Sequence, residues 1–371
     1  MSHAEVGPGR DERGPPPATF RLVVAFDPIR TERLILRPPV AEDAEAAFER
    51  RRLPEVARFQ DWELPYTREQ AKASMARAAA MDGPTDGEGW TITVVDAEEP
   101  DRILGDLYVE LRWGGRTGMF GYTFHPDHWG QGYATEAAVA LVRHLFEDLG
   151  VLRVESSLHP DNVASARVLE ACGLLFEGRT RGSFWVGDER SDDALYGATS
   201  ADWDAWSNRP RSRPEVVELV PLTPETSRAV AELAVHASQE RFVGTVADLF
   251  REALVPPSRD GEALVPWCRA IDADGEIVGV LMTTEPTGAH VTPSVRCLLI
   301  DRLHQRRGVG TLALDQVEHR LLDGGSTSIE TRWSDGPGTP GPFFVGRGFR
   351  PSGDLSDDDD GGAVHAVKAL R

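Results

Sequence analysis

Long apolar runs, cysteine and lysine are scarce in this chain of 371 residues, and each scarcity excludes something. No segment approaches the roughly 18–20 apolar residues of a membrane-spanning helix, so the sequence predicts no membrane partner. Three cysteines, Cys172, Cys268 and Cys297, are too few and too widely spaced for a disulfide framework or a metal motif. They suit a reducing compartment, and the N-terminal residues lack an apolar signal region, so we expect a cytoplasmic protein without a metal.

Positive charge is also limited. The net charge is −20, both halves are acidic, and Lys72 and Lys368 are the two lysines. Nucleic-acid binding needs clustered Lys or Arg, so we predict no nucleic-acid partner. The acidity is compatible with a cationic substrate such as an amine, and equally with a role in solubility alone.

The length and the order of elements predict two domains. Residues 1–20 are rich in Pro, Gly and charge and are predicted to be a disordered tail. A Pro- and Arg-rich segment, 208–214, is the predicted linker between domains at 21–207 and 215–371. Each domain has the order strand, helices, antiparallel strands, Gly-rich loop, helix, strand, short helix, strand. This order predicts an α+β fold in which each mixed, mostly antiparallel sheet is flanked by helices.

A Gly-rich loop occurs once in each half, at Trp129–Ala134 and at Gln305–Gly310. Each follows a strand-like segment and opens an amphipathic helix. Such a helix N-terminus presents unpaired backbone N–H groups and the positive end of the helix dipole, and glycine lets an anion approach closely. The two loops therefore predict two sites for a phosphate-bearing ligand, one in each half.

The loop and the strand before it resemble the GNAT family of N-acetyltransferases, whose signature is Q/R-x-x-G-x-G/A. Gln305–Gly310 matches in full. In the first copy Trp129 takes the Q/R position, as is common in the RimJ/RimL branch of ribosomal-protein alanine acetyltransferases. The resemblance extends back to Thr31–Pro38 and forward to Asn162–Leu174, so it covers about residues 25–205 of the first half.

The resemblance implies an enzyme that uses acetyl-CoA as its co-substrate. It would acetylate a primary amine, either a protein or peptide N-terminus or a small amine, by direct attack in a ternary complex. The protein would act as a monomer or a homodimer. The alternative is a non-catalytic regulatory protein that binds acyl-CoA.

The resemblance also assigns roles to single residues. A backbone N–H near Phe124 would polarise the acetyl carbonyl, Asn162 would bond the pantetheine arm, and Ser165 would be the catalytic acid that protonates the leaving thiolate. Asn162 also fits a helix N-cap, and Ser165 also fits simple packing. The cofactor-binding residues predicted in the two loops are Gln131, Gly132, Tyr133, Ala134 and Thr135 in the first, and Gln305, Arg306, Arg307, Gly308, Val309 and Gly310 in the second.

The general base stays open at this point. The stretch where some relatives carry a glutamate holds Phe184, and Phe184–Val186 is predicted to begin the last hairpin of the first half. The candidates for the base are Glu110, Asp106, Glu177 and His125, with a chain of water molecules as the alternative. The candidates for an aromatic acceptor pocket are Phe59, Trp62, Trp113 and Trp185.

The second half resembles the family more weakly, over about residues 215–371. Phe344 stands where many members have a tyrosine that acts as general acid, and phenylalanine has no proton to donate. We therefore expect a degenerate domain that binds CoA, or once did, and catalyses poorly.

Overall fold

The computed structural model describes residues 24–186, 188–259, 261–288, 291–352 and 363–371. The predicted tail, residues 1–20, lies outside the described residues. No helix in the described ranges is long and apolar enough to cross a membrane.

The described part of the first half forms an eight-stranded sheet in the spatial order β1-β2-β3-β4-β5-β6-β8-β7. Neighbouring strands are antiparallel except for β5 and β6, which are parallel. The strands are β1 (Ile29–Arg30), β2 (Leu34–Arg37), β3 (Trp90–Asp96), β4 (Ile103–Arg112), β5 (Thr117–Phe124), β6 (Arg153–Leu158), β7 (Leu175–Val186) and β8 (Glu189–Thr199).

Helices cover both faces of this sheet. They are α1 (Ala44–Arg51), α2 (Pro54–Ala57), α3 (Arg68–Ala79), α4 (Tyr133–Arg143), α5 (Val163–Ala171) and α6 (Ser200–Ser207), with 3-10 turns at Ala41–Asp43 and Pro126–His128 and a π-helical turn at His144–Asp148. Helix α4 buries Ala137, Ala138, Leu141 and Val142, so the spacing of its apolar residues fixes the face that meets the sheet.

The described part of the second half repeats seven of these eight strands in the same order and adds a separate two-stranded hairpin. Where it is described, its main sheet has the order β16-β17-β15-β14-β13-β12-β9, and β14 and β15 are its parallel pair. The strands are β9 (Val217–Val220), β10 (Ser258–Arg259), β11 (Glu262–Ala263), β12 (Pro266–Ala273), β13 (Glu276–Thr284), β14 (Ser294–Ile300), β15 (Ser328–Ser334), β16 (Arg350–Pro351) and β17 (Ala363–Ala369). The helices are α7 (Pro224–Glu232), α8 (Ala237–Val243), α9 (Val246–Leu254), α10 (Val309–Asp323) and α11 (Gly341–Gly346). The predicted fold, two mixed sheets flanked by helices, is confirmed.

The predicted start of the last hairpin in the first half is wrong. The hairpin begins with β7 at Leu175, nine residues before the predicted Phe184. Gly178 and Gly182 have φ values of 154° and 59° and lie beside two register shifts of the β7–β8 ladder. Glycine at such positions permits a β-bulge, so the strand bends without ending.

A partly buried carboxylate joins the segment Thr31–Pro38 to the helix after the first loop. Glu136 of α4 accepts hydrogen bonds from the Thr31 hydroxyl at 2.6 Å, from the Arg33 N–H at 2.9 Å and from the Arg33 side-chain Nε at 2.7 Å. Burial alone would raise the pKa of Glu136, but these bonds outweigh it and hold the pKa below its usual value. Glu136 thus fixes the first turn of α4 against β2.

We expect Glu136→Ala to lower the free energy of unfolding by about 1–3 kcal/mol, because its donors lose a charged acceptor. Urea titration of the purified chain measures this. Glu42→Ala is the matched control, since Glu42 is exposed in the 3-10 turn before α1. An equal loss in both variants would contradict the role of Glu136.

The same contact predicts a pH dependence. Because the folded-state pKa of Glu136 is lowered, its contribution is complete above the unfolded pKa of about 4.3 and is lost as the pH falls through the folded pKa. The stability difference between the wild type and Glu136→Gln should therefore narrow below about pH 4.3. A difference that stays constant down to about pH 2 would count against this assignment.

Candidate active site

The parallel strands β5 and β6 pair over only a short stretch. In the described residues their ladder joins Thr117–Met119 to Arg153–Glu155 and goes no further, although both strands continue. The two strands separate beyond this point, and the C-terminal half of β5 has an open edge. Because α4 follows β5 and α5 follows β6, the N-termini of both helices lie near the same opening.

The backbone of Phe124 faces this opening. His125 donates its N–H to the Leu104 carbonyl of β4 at 3.1 Å, and successive N–H groups of a strand point to opposite sides. The N–H of Phe124 therefore points away from β4, toward the separated β6. Its ring is buried and fills the space above Gly105, where an added Cβ would lie 2.8 Å from the ring. The predicted donor is thus oriented toward the gap.

Trp129, the residue at the Q/R position, makes a specific hydrogen bond. Its indole Nε1 donates to the Phe124 carbonyl at 2.9 Å. In the second half, the Gln305 Nε2 donates to the Ile300 carbonyl at 3.0 Å, again five residues earlier in the chain. An indole N–H and an amide N–H therefore do the same work, which is to tie the loop to the end of its strand. This explains why tryptophan can stand at this position.

The first loop has the backbone of an anion cradle. Gly130 and Gly132 have φ values of 73° and 82°, which glycine adopts without strain, and Gly132 is the N-cap of α4. This geometry turns the N–H groups of the first helical turn outward, at the positive end of the helix dipole. The Arg33 guanidinium lies 3.4 Å from where a Gly132 Cβ would be and adds positive charge. The loop before α4 thus has the backbone geometry of an anion-binding helix N-terminus.

Helix α5 contributes Asn162 and Ser165 to one pocket. Asn162 is the N-cap of α5, and its Oδ1 accepts the Ser165 N–H at 3.2 Å, so the side-chain Nδ2 is what remains for a ligand. The Tyr122 hydroxyl donates to the Ser165 carbonyl at 3.0 Å, and burial raises the pKa of that phenol. The pocket is lined by Phe59, Gln60, Gly121, Tyr122, Ser156, Ser157, Leu158, Asn162, Ser165 and Leu169.

This pocket lies between the separated strands, and it includes residues that the sequence did not indicate. Tyr122 could have been found from the period of β5, because it lies two residues before Phe124 and its backbone faces the same way. Phe59 and Gln60 belong to an irregular segment after α2, where no periodicity marks a function. Of the four aromatic residues predicted for the acceptor pocket, Phe59 is the one that lines it, while Trp113 and Trp185 are mostly exposed.

Each carboxylate predicted as a base is held by arginine. Asp106 is buried against Arg50 and Arg51, and although burial would raise its pKa, these two charges lower it. Glu177 binds Arg153 through two bonds, at 2.7 Å and 2.5 Å. The Arg112 hydrogen bonds lower the pKa of Glu110. Arginine side chains therefore occupy the oxygens of all three carboxylates.

The remaining candidate, His125, has a structural contact. Its Nδ1 accepts the Asp127 N–H at 3.3 Å, which caps the 3-10 turn before the loop. A carboxylate that the sequence did not indicate is different: burial raises the pKa of Asp193. Asp193 precedes Ala194, which pairs with Leu158 of the pocket, so Asp193 lies beside His159. The His159 ring packs on Phe59 at 5.0 Å between centroids, at the edge of the pocket.

The second loop has the same backbone conformation as the first loop but different side chains. Arg306 and Gly308 have φ values of 63° and 82°, close to those of Gly130 and Gly132, so the N–H groups of Arg307 through Gly310 have the same geometry. However, the Arg307 guanidinium is buried and donates to the Ser212 carbonyl at 2.8 Å. Phe344 is also buried and stacks on Trp333 at 5.7 Å, so it serves the core of the second half.

Two family models match the chain. The "Acetyltransferase (GNAT) domain" model covers residues 33–175, and the "Acetyltransferase (GNAT) family" model covers residues 229–334. The two halves are thus two acetyltransferase domains in tandem.

Two relatives, one bacterial and one fungal, agree with this class. The uncharacterized N-acetyltransferase YoaA of Bacillus subtilis is 32% identical over 46% of this chain and 96% of its own length. The FsC-acetyl coenzyme A-N(2)-transacetylase of Aspergillus fumigatus is 31% identical over 39% of this chain and 64% of its own. Among solved structures, the RimL acetyltransferase in complex with coenzyme A is 16% identical, with a TM-score of 0.41 over 47% of this chain and 98% of that chain. The chain belongs to the GNAT family of acetyltransferases.

The bond from Trp129 to Phe124 predicts an effect on cofactor affinity. Trp129→Phe removes the donor, so we expect the Kd for acetyl-CoA to rise about 2- to 10-fold. Trp129→Gln should restore most of the affinity, because Gln305 makes the equivalent bond in the second half. Calorimetric titration measures both variants. Trp113→Phe is the control, since that ring is 78% exposed; unchanged affinity in Trp129→Phe would refute the role of this bond.

Proposed function

We propose that the first half transfers the acetyl group of acetyl-CoA to a primary amine by direct attack in a ternary complex. The observation that carries this proposal is the pocket between the separated strands β5 and β6, where Asn162 and Ser165 lie together beside the first loop. The family membership supports the reaction class, and the Aspergillus relative is named for transfer from acetyl coenzyme A to nitrogen.

Acetyl-CoA would supply an activated thioester carbonyl. In the proposal the N–H groups of Gln131–Thr135 bind its pyrophosphate, and the Asn162 Nδ2 bonds the pantetheine arm. The Phe124 N–H donates to the carbonyl oxygen, where negative charge develops as the amine attacks. The new C–N bond forms as the C–S bond breaks, and the Ser165 hydroxyl supplies the proton that the departing sulfur needs.

Ser165 regains its proton from solvent. The amine attacks in its neutral form, after its extra proton has passed to solvent, and it must lose one more proton as the C–N bond forms. We assign this proton to Asp193, because burial raises its pKa and because arginine neutralises the other carboxylates considered. The acceptor would enter past Phe59 and His159, on the side of the pocket opposite the loop. A net charge of −20 favours an amine that arrives as a cation, either a protein N-terminus or a small amine.

In this proposal the second half does not carry the reaction. Phe344 offers no proton and is packed into the core, and the Arg307 side chain faces the linker and not the loop opening. The backbone of the second loop keeps the anion-binding geometry of the first loop. The number of acetyl-CoA molecules bound per chain therefore tests whether the second loop is a site.

Calorimetric titration of acetyl-CoA into the purified chain tests the cofactor site. We expect one site per chain, lost in Gly132→Glu, because the new carboxylate would stand in the anion cradle. Gly132→Ala controls for strain alone, since φ at Gly132 is 82°. Gly308→Glu should leave binding and turnover unchanged.

Two bound equivalents would show that the second loop is a working site. Loss of binding only in Gly308→Glu would reverse the assignment of the two halves. No binding at all would end the acetyl-CoA proposal, while release of free thiol with any of a panel of amines would exclude the non-catalytic alternative.

The assignment of Asp193 predicts a large kinetic effect. Asp193→Asn should lower kcat about 10²- to 10⁴-fold, the usual range for loss of a positioned base. In the wild type, kcat should fall as the pH falls through the pKa of Asp193, which burial places above its ordinary 3.8. This acid limb should be absent in the variant.

Asp192→Asn is the matched control. Asp192 is the adjacent carboxylate of β8, bound to Arg179 at 2.8 Å and to the Gly182 N–H at 2.6 Å. If kcat and its pH profile survive in Asp193→Asn, the proton leaves by the water chain and not through Asp193.

A further inference from the structure

Two faces of helix α5 make different contacts. One face, with Asn162, Ser165 and Leu169, lines the pocket. The other face turns toward the second half, where Arg167 and Glu170 point. Glu170 is only 4% exposed, although it is a charged residue with no arginine in bonding distance among the described contacts.

The partner of Glu170 in the second half is Ser238, in the first turn of α8, while the Tyr196 hydroxyl of the first half lies beside the same carboxylate. One carboxylate oxygen accepts the Ser238 N–H at 2.9 Å, and the other accepts the Ser238 hydroxyl at 2.6 Å. Both oxygens of the carboxylate are therefore used, and the two bonds fix its plane. A buried carboxylate would otherwise be costly, so this contact sets where α5 lies against α8.

Helix α8 is itself held at two points in the second half. The side chains of Gln239 and Gln305 hydrogen-bond each other at 2.9 Å and 3.2 Å, which joins α8 to the second loop. The Arg241 guanidinium donates to the Pro337 carbonyl, in the segment after β15. Helix α8 therefore spans from the end of β14 to the end of β15.

This position corresponds to the one that lines the pocket in the first half. The described β14–β15 ladder joins only Ser294 and Val295 to Glu330 and Thr331, so these strands also separate. In the first half the segment with Phe59 and Gln60 lies at the equivalent opening. In the second half α8 lies there, and it contacts α5 as well.

Apolar contacts surround the Glu170–Ser238 pair. The Trp206 ring meets the His236 ring edge-on at 5.8 Å, and burial lowers the pKa of His236 to about 4, so it is neutral. Leu303 of the second half packs against the core of the first half. These contacts flank the Glu170–Ser238 pair, and the charges of Arg209, Asp301 and Arg302 lie beside His236.

We propose that α8 of the second half is a positioning element for α5, and that the Glu170–Ser238 contact holds Asn162 and Ser165 in place in the pocket of the first half. The proposal rests on the proposed function of that pocket. Glu170 and Ser238 touch neither the acetyl donor nor the amine; they act through α5. The second half thereby contributes to catalysis without a reaction of its own.

The test uses the full chain with Glu170→Gln and Ser238→Ala. Each should raise the KM and Kd for acetyl-CoA about 5- to 10-fold, the lower range of coupling between sites, and should leave the KM for the amine nearly unchanged. Ser238→Thr keeps the hydroxyl and the N–H and should restore the affinity. Glu240→Gln is the control, because Glu240 is an exposed carboxylate on the same helix.

A double-mutant cycle separates positioning from simple stabilisation. If Glu170 acts through α5, the effects of Glu170→Gln and Ser165→Ala on acetyl-CoA affinity should be non-additive. Additive effects, or a lowered Tm with an unchanged Kd, would overturn the proposal. So would an equal loss of affinity in Glu240→Gln.

Amide hydrogen exchange gives a readout that does not depend on the reaction. Glu170→Gln and Ser238→Ala should speed exchange in Val163–Ala171 of the free protein, while exchange in α4 stays as in the wild type. If the wild type binds no acetyl-CoA, the proposed function fails and this comparison alone decides on α8. Unchanged exchange in α5 would refute the positioning role.

Discussion

The site depends on two parallel strands that pair over three residues and then separate. Where β5 and β6 are paired, the backbone groups of each strand hydrogen-bond to the other. Beyond that stretch, the N–H of Phe124 faces an opening instead of a neighbouring strand. Because each strand is followed by a helix, the same parting brings the N-termini of α4 and α5 to one place. The Phe124 N–H, the N–H groups of the first loop and the polar face of α5 therefore come together where the β5–β6 pairing ends. The hydrogen bonds of Glu136 fix α4 at this place.

Sequence patterns predicted the parts of this site that local chemistry determines. The glycines of the loops, the apolar face of α4 and the capping residue Asn162 were all readable, because each depends on neighbours a few residues away. The failures involve distant partners. Asp106 looks like a base until Arg50, 56 residues earlier, is seen to neutralise it. Asp193 looks ordinary until the β6–β8 register puts it beside the pocket. The start of β7 was placed too late because its two bulges, at Gly178 and Gly182, interrupt the alternation that marks a strand.

Two different residue types make the same hydrogen bond at the Q/R position of the two loops. Trp129 and Gln305 share neither size nor polarity, yet each donates one N–H to the carbonyl five residues earlier. That bond ties the end of the strand to the start of the loop. Any side chain that can reach this acceptor satisfies the requirement, so a departure from the signature at this position does not by itself indicate a lost site.

The two halves share a strand order and differ in what covers the parting of the strands. In the first half an irregular segment with Phe59 and Gln60 leaves a pocket; in the second half α8 bridges the two strand ends. Phe344 of the second half stacks on Trp333 and serves packing. The Ser238 N–H, in the first turn of α8, has no acceptor within its own helix, and Glu170 supplies one. On this view, loss of the second pocket and gain of the contact with α5 are one change, since the helix that closes the opening is the helix that binds α5.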